Sequence, residues 1–298
     1  MGYPNATVRW LATLTVASLG AFLALSQTAS ANFRISPTAV NLERAPGGAA
    51  LGTIDVRLGH EGDYRFRTVI EEISQRPDGT QVYSPASNSR YSASAWVSVT
   101  PSTFRGSPDR TQPIQYRVSV PPDAEPGDHL ASLTVQRLAK ATKATASSIE
   151  AVSVRLTIRV RGAIRPAAKI VALEVPSIAN GGPVSVGTTV RNTGNVTLNF
   201  NHANPGQVRI LDGSDRKATL PFSGSLFPGQ TRVFNSRWED PPLFGSFDAE
   251  AAVRTGTREA HSKKGFWVIP WRQIGALVLI VAAVVLLALG WRRRRWGY

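Results

Sequence analysis

Val152-Ser153-Val154-Arg155-Leu156-Thr157-Ile158-Arg159-Val160 alternates apolar and polar side chains without a break. Successive residues of a β-strand point to opposite faces, so the stretch reads as a strand with one face buried and one wet. Comparable runs recur upstream at Phe33–Ile35, Leu51–Leu58, Tyr64–Ile73, Trp96–Thr100, Ile114–Val120 and Leu130–Leu138. Turn signals separate them, among them Ala45-Pro46-Gly47-Gly48, Arg76-Pro77-Asp78-Gly79 and Glu125-Pro126-Gly127-Asp128. Glycine and proline preset turn geometry, and aspartate bonds to nearby backbone. Short strands at about ten-residue spacing, with no sustained helical period, predict a β-sandwich.

The pattern resumes after Arg161 to Pro166 with Lys169–Val175, Val184–Val190, Gln207–Leu211, Arg232–Trp238 and Asp248–Arg254. Asn180-Gly181-Gly182-Pro183 and Phe227-Pro228-Gly229-Gln230 supply turns, and Thr255 to Gly265 reads as a short stalk or a final hairpin. The expected architecture is all-β: two tandem immunoglobulin-like sandwiches, 32–162 and 163–265, stacked with limited bending across a short linker. Between Leu138 and Glu150, the alanine-, lysine- and threonine-rich stretch 139–148 lacks large apolar side chains and reads as a mobile hairpin loop.

Beyond a juxtamembrane segment, 266–273, Ile274 to Leu289 is uninterruptedly apolar, and Gly290 and Trp291 follow. A helix over 274–291 spans roughly 27 Å at about 1.5 Å per residue, near the thickness of a bilayer's hydrocarbon core. Arg292, Arg293, Arg294 and Arg295 open a basic tail, 292–298, that marks the cytoplasmic side. Trp267, Trp271, Trp291 and Trp296 flank the span as interfacial aromatics. At the other end, Arg9, the apolar Trp10 to Leu25 and Ala29-Ser30-Ala31 predict a signal peptide, 1–31, cleaved between Ala31 and Asn32. An uncleaved first membrane helix is the alternative. Both readings export the bulk of the chain, the first giving a single-pass type I protein of the cell membrane with its sandwiches outside. The bilayer is thus a partner through the C-terminal helix.

All 20 acidic residues lie between Asn32 and Trp271, against 28 of the 34 basic ones, so the exported part carries +8, not +14. Each predicted sandwich carries +4. Nucleic-acid binders concentrate their charge on one face or segment, and nucleic acid is not an expected partner. Diffuse positive charge suits solubility or contact with anionic envelope polymers. With no cysteine there is no disulfide framework and no thiolate site.

The four histidines, His60, His129, His202 and His261, show no metal-ligand spacing, and no nucleophile elbow or phosphate loop is present. His60 reads as a turn residue. Glu71 and Glu72 are neighbours on a strand, so they point apart and cannot cooperate as acid and base. Asp63, Asp78, Asp123, Asp128, Asp212 and Asp215 fall in predicted turns. The chain is not expected to be an enzyme or to hold a cofactor or metal. Trp96 and Trp238 read as core residues ahead of a sugar platform, while Tyr83 and Tyr91 flank a polar loop better suited to exposed rings.

Val190-Arg191-Asn192-Thr193-Gly194-Asn195-Val196-Thr197, Phe227-Pro228-Gly229-Gln230-Thr231 and Gly245-Ser246-Phe247-Asp248-Ala249 together resemble bacterial immunoglobulin-like adhesion and envelope domains. Gly194 and Gly229 are expected at turns with positive φ, and the asparagine side chains as substitutes for missing strand partners. In the first half, Phe33-Arg34-Ile35-Ser36-Pro37, Pro46-Gly47, Asp78-Gly79 and Pro121-Pro122-Asp123-Ala124-Glu125-Pro126-Gly127-Asp128 are similar to the peptidoglycan-binding domain of WxL-interacting proteins. They are also similar to the N-terminal domain of pilus chaperones. The order of segments looks like the WxL-interacting family throughout, although Leu58-Gly59-His60-Glu61 stands where that family has an asparagine. The resemblance implies a membrane-anchored surface protein whose first domain holds peptidoglycan and whose second engages a surface protein. It assigns no individual ligand-binding residue. The expected function is therefore non-enzymatic binding or adhesion at the cell surface, to cell-wall polymer or a secreted protein. A chaperone-like or accessory subunit of an envelope complex is the alternative.

Overall fold

The computed structural model describes residues 33–59, 64–108, 110–138, 150–204 and 206–295. The signal segment with its Ala31/Asn32 cleavage site, the turn at His60 and the loop 139–148 lie outside the described residues, as does Trp296.

Ten strands build the first sandwich: β1 (Phe33–Ser36), β2 (Ala39–Arg44), β3 (Ala49–Leu58), β4 (Tyr64–Gln75), β5 (Gln81–Pro85), β6 (Val97–Thr100), β7 (Thr103–Gly106), β8 (Thr111–Ser119), β9 (Gly127–Leu138) and β10 (Ala151–Val160). One sheet runs β1-β3-β8-β6; the other runs β2-β10-β9-β4-β5, with β7 also on β4. The alternation read in the sequence sorts inward and outward residues as expected. Val154, Leu156, Ile158 and Val160 are buried, and they meet Ile54, Val56, Ile114 and Val118 of the opposite sheet in one core. Burying such side chains contributes about 1.5–3 kcal/mol each relative to exposure. β1 and β2 are separated by two residues yet serve different sheets: β1 pairs antiparallel with β3, and β2 pairs parallel with β10.

The second sandwich comprises β11 (Ala168–Glu174), β12 (Ile178–Ala179), β13 (Val184–Asn192), β14 (Leu198–Phe200), β15 (Gly206–Asp212), β16 (Asp215–Phe222), β17 (Gly224–Leu226), β18 (Thr231–Trp238), β19 (Gly245–Thr255) and β20 (Arg258–Val268). Its sheets run β11-β13-β18 and β12-β20-β19-β15-β16, and β14 pairs with β17 alone. Trp238, 6% exposed, lies edge-on to Phe247 at 5.1 Å between ring centroids, a core residue and not a sugar platform. The stretch Thr255 to Gly265 resolves as a hairpin: β19 and β20 pair over their whole length, from Thr255↔Arg258 to Gly245↔Val268.

Only Ile269 and Pro270 separate β20 from the helix α1 (Trp271–Arg295), which is long and apolar enough to cross a membrane. It starts three residues before the apolar run because Pro270 opens it: the Ile274 amide donates to the Pro270 carbonyl at 3.0 Å. Arg292 to Arg295 form its last turn.

Candidate functional site

Two features distinguish the exported region chemically, the joint between the sandwiches and the free edges of their last strands. The joint is built from residues with no local partners. Asp128 opens β9 and is 1% exposed. Its carboxylate accepts from Arg159 Nε at 2.7 Å and Nη2 at 3.1 Å, and from the Thr197 amide of the second sandwich at 2.8 Å. Bonding to Asp128 raises the Arg159 pKa above its ordinary value. Turn composition predicted only local bonding for Asp128; the structure corrects this, because its partners come from β10 and from across the joint.

Asn195 completes the joint. Its Nδ2 donates to the Pro126 and Ala163 carbonyls at 2.8 and 2.9 Å, and its Oδ1 accepts the Arg165 amide at 2.7 Å. Asn192, fully buried, donates to the Val196 and Leu226 carbonyls and accepts the Gly194 amide. Both asparagines thus replace strand partners, as the motif implied. Gly229 takes the expected positive φ, +74 being matched closely at +73 only for Gly47 and Gly229 among these turns. Gly194 does not have a positive φ. It is glycine because a Cβ there would stand 2.2 Å from the Arg165 carbonyl oxygen.

Further along the joint, Gln75 donates to the Ser225 carbonyl at 3.0 Å and the Val233 amide to Pro77 at 2.6 Å. Ile73 and Leu130 of the first sandwich bury Phe227 of the second. A cleft of about 240 Å³ lies beside them, bounded by Glu72, Arg90, Tyr91, Phe227 and Gln230. Glu72 is bonded to the Ser87 and Ser89 hydroxyls, and Glu71 to Thr134, so the adjacent carboxylates do serve separate surroundings. Tyr91, expected to be exposed, is half-buried and packs against Gly229 across the joint.

His129 is buried with its ring 4.4 Å from that of Trp96. Its Nε2 donates to the Glu125 carbonyl at 2.9 Å, and its Nδ1 has no partner. Burial lowers its pKa, opposed by the Glu125 carbonyl. His202 is in the loop after β14 and His261 on β20, so the fold does not gather the described histidines. Among the described residues no group of three or more His, Asp or Glu is placed to hold a metal ion.

The edges are the second feature. β9 covers one side of β10 from Ala151 to Val160, whereas β2 covers the other only from Arg155. The Arg155 amide donates to Thr38 and the Arg161 amide to Arg44. By the two-residue period of a strand, the amides and carbonyls of Ala151 and Ser153 face the same, uncovered side. Side chains on this stretch are small or apolar: exposed Ala151, half-buried Val152 and Ser153, and buried Val154. β20 is built alike, with β12 pairing parallel to Trp267 and Val268 only. Its uncovered stretch carries Arg258, Glu259, His261, Lys263 and Lys264, all exposed.

No family model and no curated protein sequence matches the chain. Among solved structures it is similar to the class 5 fimbriae chaperone CfaA, at 10% identity and a TM-score of 0.41, covering 79% of this chain and 99% of that one. It is similar to the E. coli chaperone DraB at 15% identity and a TM-score of 0.39, covering 79% and 96%. It is also similar to a chain of the CsuC–CsuE chaperone–tip adhesion subunit pre-assembly complex of Acinetobacter baumannii, at 14% identity and a TM-score of 0.42, covering 77% and 98%.

Proposed function

We propose that the chain is a membrane-anchored, non-enzymatic accessory protein of the cell envelope, chaperone-like in its mode of binding. It receives an extended segment of another exported protein along the open half of β10. The observation that carries this reading is the uncharged, half-paired edge at Ala151–Val154. Proteins normally guard such edges with lysine, proline or a covering loop, because unpaired amides and carbonyls recruit further strands. An incoming strand would bond the outward amides and carbonyls of Ala151 and Ser153, at about 0.5–1.5 kcal/mol net per bond, with specificity from its alternate side chains. The apolar helix α1 holds the protein in the bilayer in single-pass, type I orientation, both sandwiches outside, because the arginines at its end favour the cytoplasmic face.

The test uses the full chain in phosphatidylcholine nanodiscs. Binding of fluorescent peptides with alternating valine and threonine is followed by anisotropy, and sedimentation with purified peptidoglycan sacculi is measured in parallel. Ser153→Pro removes an amide that faces away from β9, so the β9–β10 ladder survives; Ser153→Ala controls for the hydroxyl. Peptide binding that Ser153→Pro weakens at least tenfold and Ser153→Ala leaves intact supports the reading. Sedimentation with sacculi and no peptide binding would replace it with the wall-polymer function that the WxL-interacting resemblance implies.

A further inference from the structure

We infer that the second sandwich rests on the bilayer surface through an apolar platform, so the membrane contact extends beyond α1. The inference deepens the anchoring reading above and depends on it. Leu243 and Phe244, consecutive in the loop between β18 and β19, are 70% and 62% exposed. Adjacent large apolar side chains this exposed call for a partner surface. The register places them: Gly245 pairs with Val268, so Phe244 and Leu243 lie just beyond the last rung, level with Ile269 and Pro270 at the entry to α1. Ile178 of β12, 57% exposed, pairs with Trp267, 54% exposed, at the same end. Trp271, 57% exposed, begins the helix. Five large apolar residues from four segments therefore meet where the chain enters the membrane. The sequence reading assigned only the two tryptophans there.

The exit is also rigid. The Trp267 amide donates to Ser177 at 2.9 Å and the Ile269 amide to Ala179 at 2.8 Å. The Arg272 amide donates to Asn180 Oδ1 at 3.0 Å. The strap 177–180 thus ties the strand exit and first helical turn to the sandwich, leaving no stalk to lift it clear. With Trp271 about one helical turn above Ile274, the platform stands at the depth of interfacial aromatics. Its occupant is the boundary between headgroups and acyl chains, entered by apolar side chains as an interfacial element is. Glu239 and Asp240 precede the loop, so attraction to anionic lipid is not the driving force.

Because the chain has no cysteine, single labels are clean. Full-length protein with an environment-sensitive fluorophore at Phe244→Cys, Ile178→Cys, Thr257→Cys or Val281→Cys is placed in phosphatidylcholine vesicles. The vesicles contain lipids spin-labelled at acyl carbon 5 or 12. The platform predicts that labels at 244 and 178 are quenched by the shallow spin label at least twofold more than at 257, with no change when anionic lipid is added. The label at 281 is quenched most by the deep one. Labels at 244 and 178 that behave like 257, beside deep quenching at 281, overturn the platform and leave the anchor intact. Quenching at 244 that requires a spin-labelled second copy instead of lipid also overturns it. No deep quenching at 281 overturns the anchor itself, and the platform with it.

Discussion

β10 and β20 are the last strands of their sandwiches, each flanked by an antiparallel neighbour and half-capped by a short parallel strand. They differ in what stands on the uncapped half. On β20 exposed side chains of both charges occupy it, and Lys263 pairs with Asp248 at 3.0 Å. On β10 the same half carries Ala151, Val152, Ser153 and Val154. The same construction is thus guarded in one domain and open in the other. Guarding costs little, as β20 demonstrates within the same chain, so the bare edge on β10 marks the surface kept for a partner.

The comparison presupposes a fixed joint, and the largest expected effect falls there. Asp128→Ala strips Arg159 and the Thr197 amide of their acceptor, and the full chain should lose about 2–4 kcal/mol in denaturant unfolding. Faster hydrogen exchange at Asn195–Thr197 should accompany the loss. An unchanged midpoint would mean the sandwiches are independent. Transferring the guard comes next. Ala151→Lys should weaken peptide binding about tenfold, or about 1.4 kcal/mol, with folding stability held within about 0.5 kcal/mol. Equal binding would show that charge at this edge is irrelevant. Removing the guard is the converse. His261→Val with Lys263→Val should make the protein self-associate in sedimentation at micromolar concentration. Stability should change by under about 1 kcal/mol, since the lost ion pair is half-exposed. A persistently monomeric variant would weaken the comparison.

The smallest effect is one of pH. His129 is buried in the first sandwich, whereas His202 and His261 of the second are exposed. Burial lowers the His129 pKa, so the unfolded chain takes up the proton first. Its contribution is complete above the unfolded value of about 6.5 and is lost as pH falls through that value toward the folded one. Tm should therefore drop between pH 7.5 and 5.5, and His129→Gln should flatten the drop. An equal drop in the variant would assign the effect elsewhere.

Alternation made the central strands legible, because in Val152–Val160 one face is apolar and the other polar. Edge strands were not. β2, Ala-Val-Asn-Leu-Glu-Arg, escaped notice, yet it is the strand that divides β10 into covered and open halves. Its pairing is parallel and set by residues more than a hundred positions away, which no local pattern reports. β5, β7, β12, β14, β16 and β17 were passed over for similar reasons, being short or polar. The Asn192–Asn195 motif did announce unusual bonding, but its partners Ala163 and Pro126 belong to the linker and the first sandwich. Asp128 gave no signal apart from its turn, since burial and its bond to Thr197 arise only once the two sandwiches meet.

Site-specific photocrosslinking reads the open edge most directly. A benzophenone amino acid is incorporated at position 151 or 261 of the full chain in its native membrane, and the adducts are identified by mass spectrometry. The account predicts one exported polypeptide attached at 151 through an extended segment, with nothing attached at 261. Equal adducts at both positions, or adducts at 151 made only of cell-wall glycan, would contradict it.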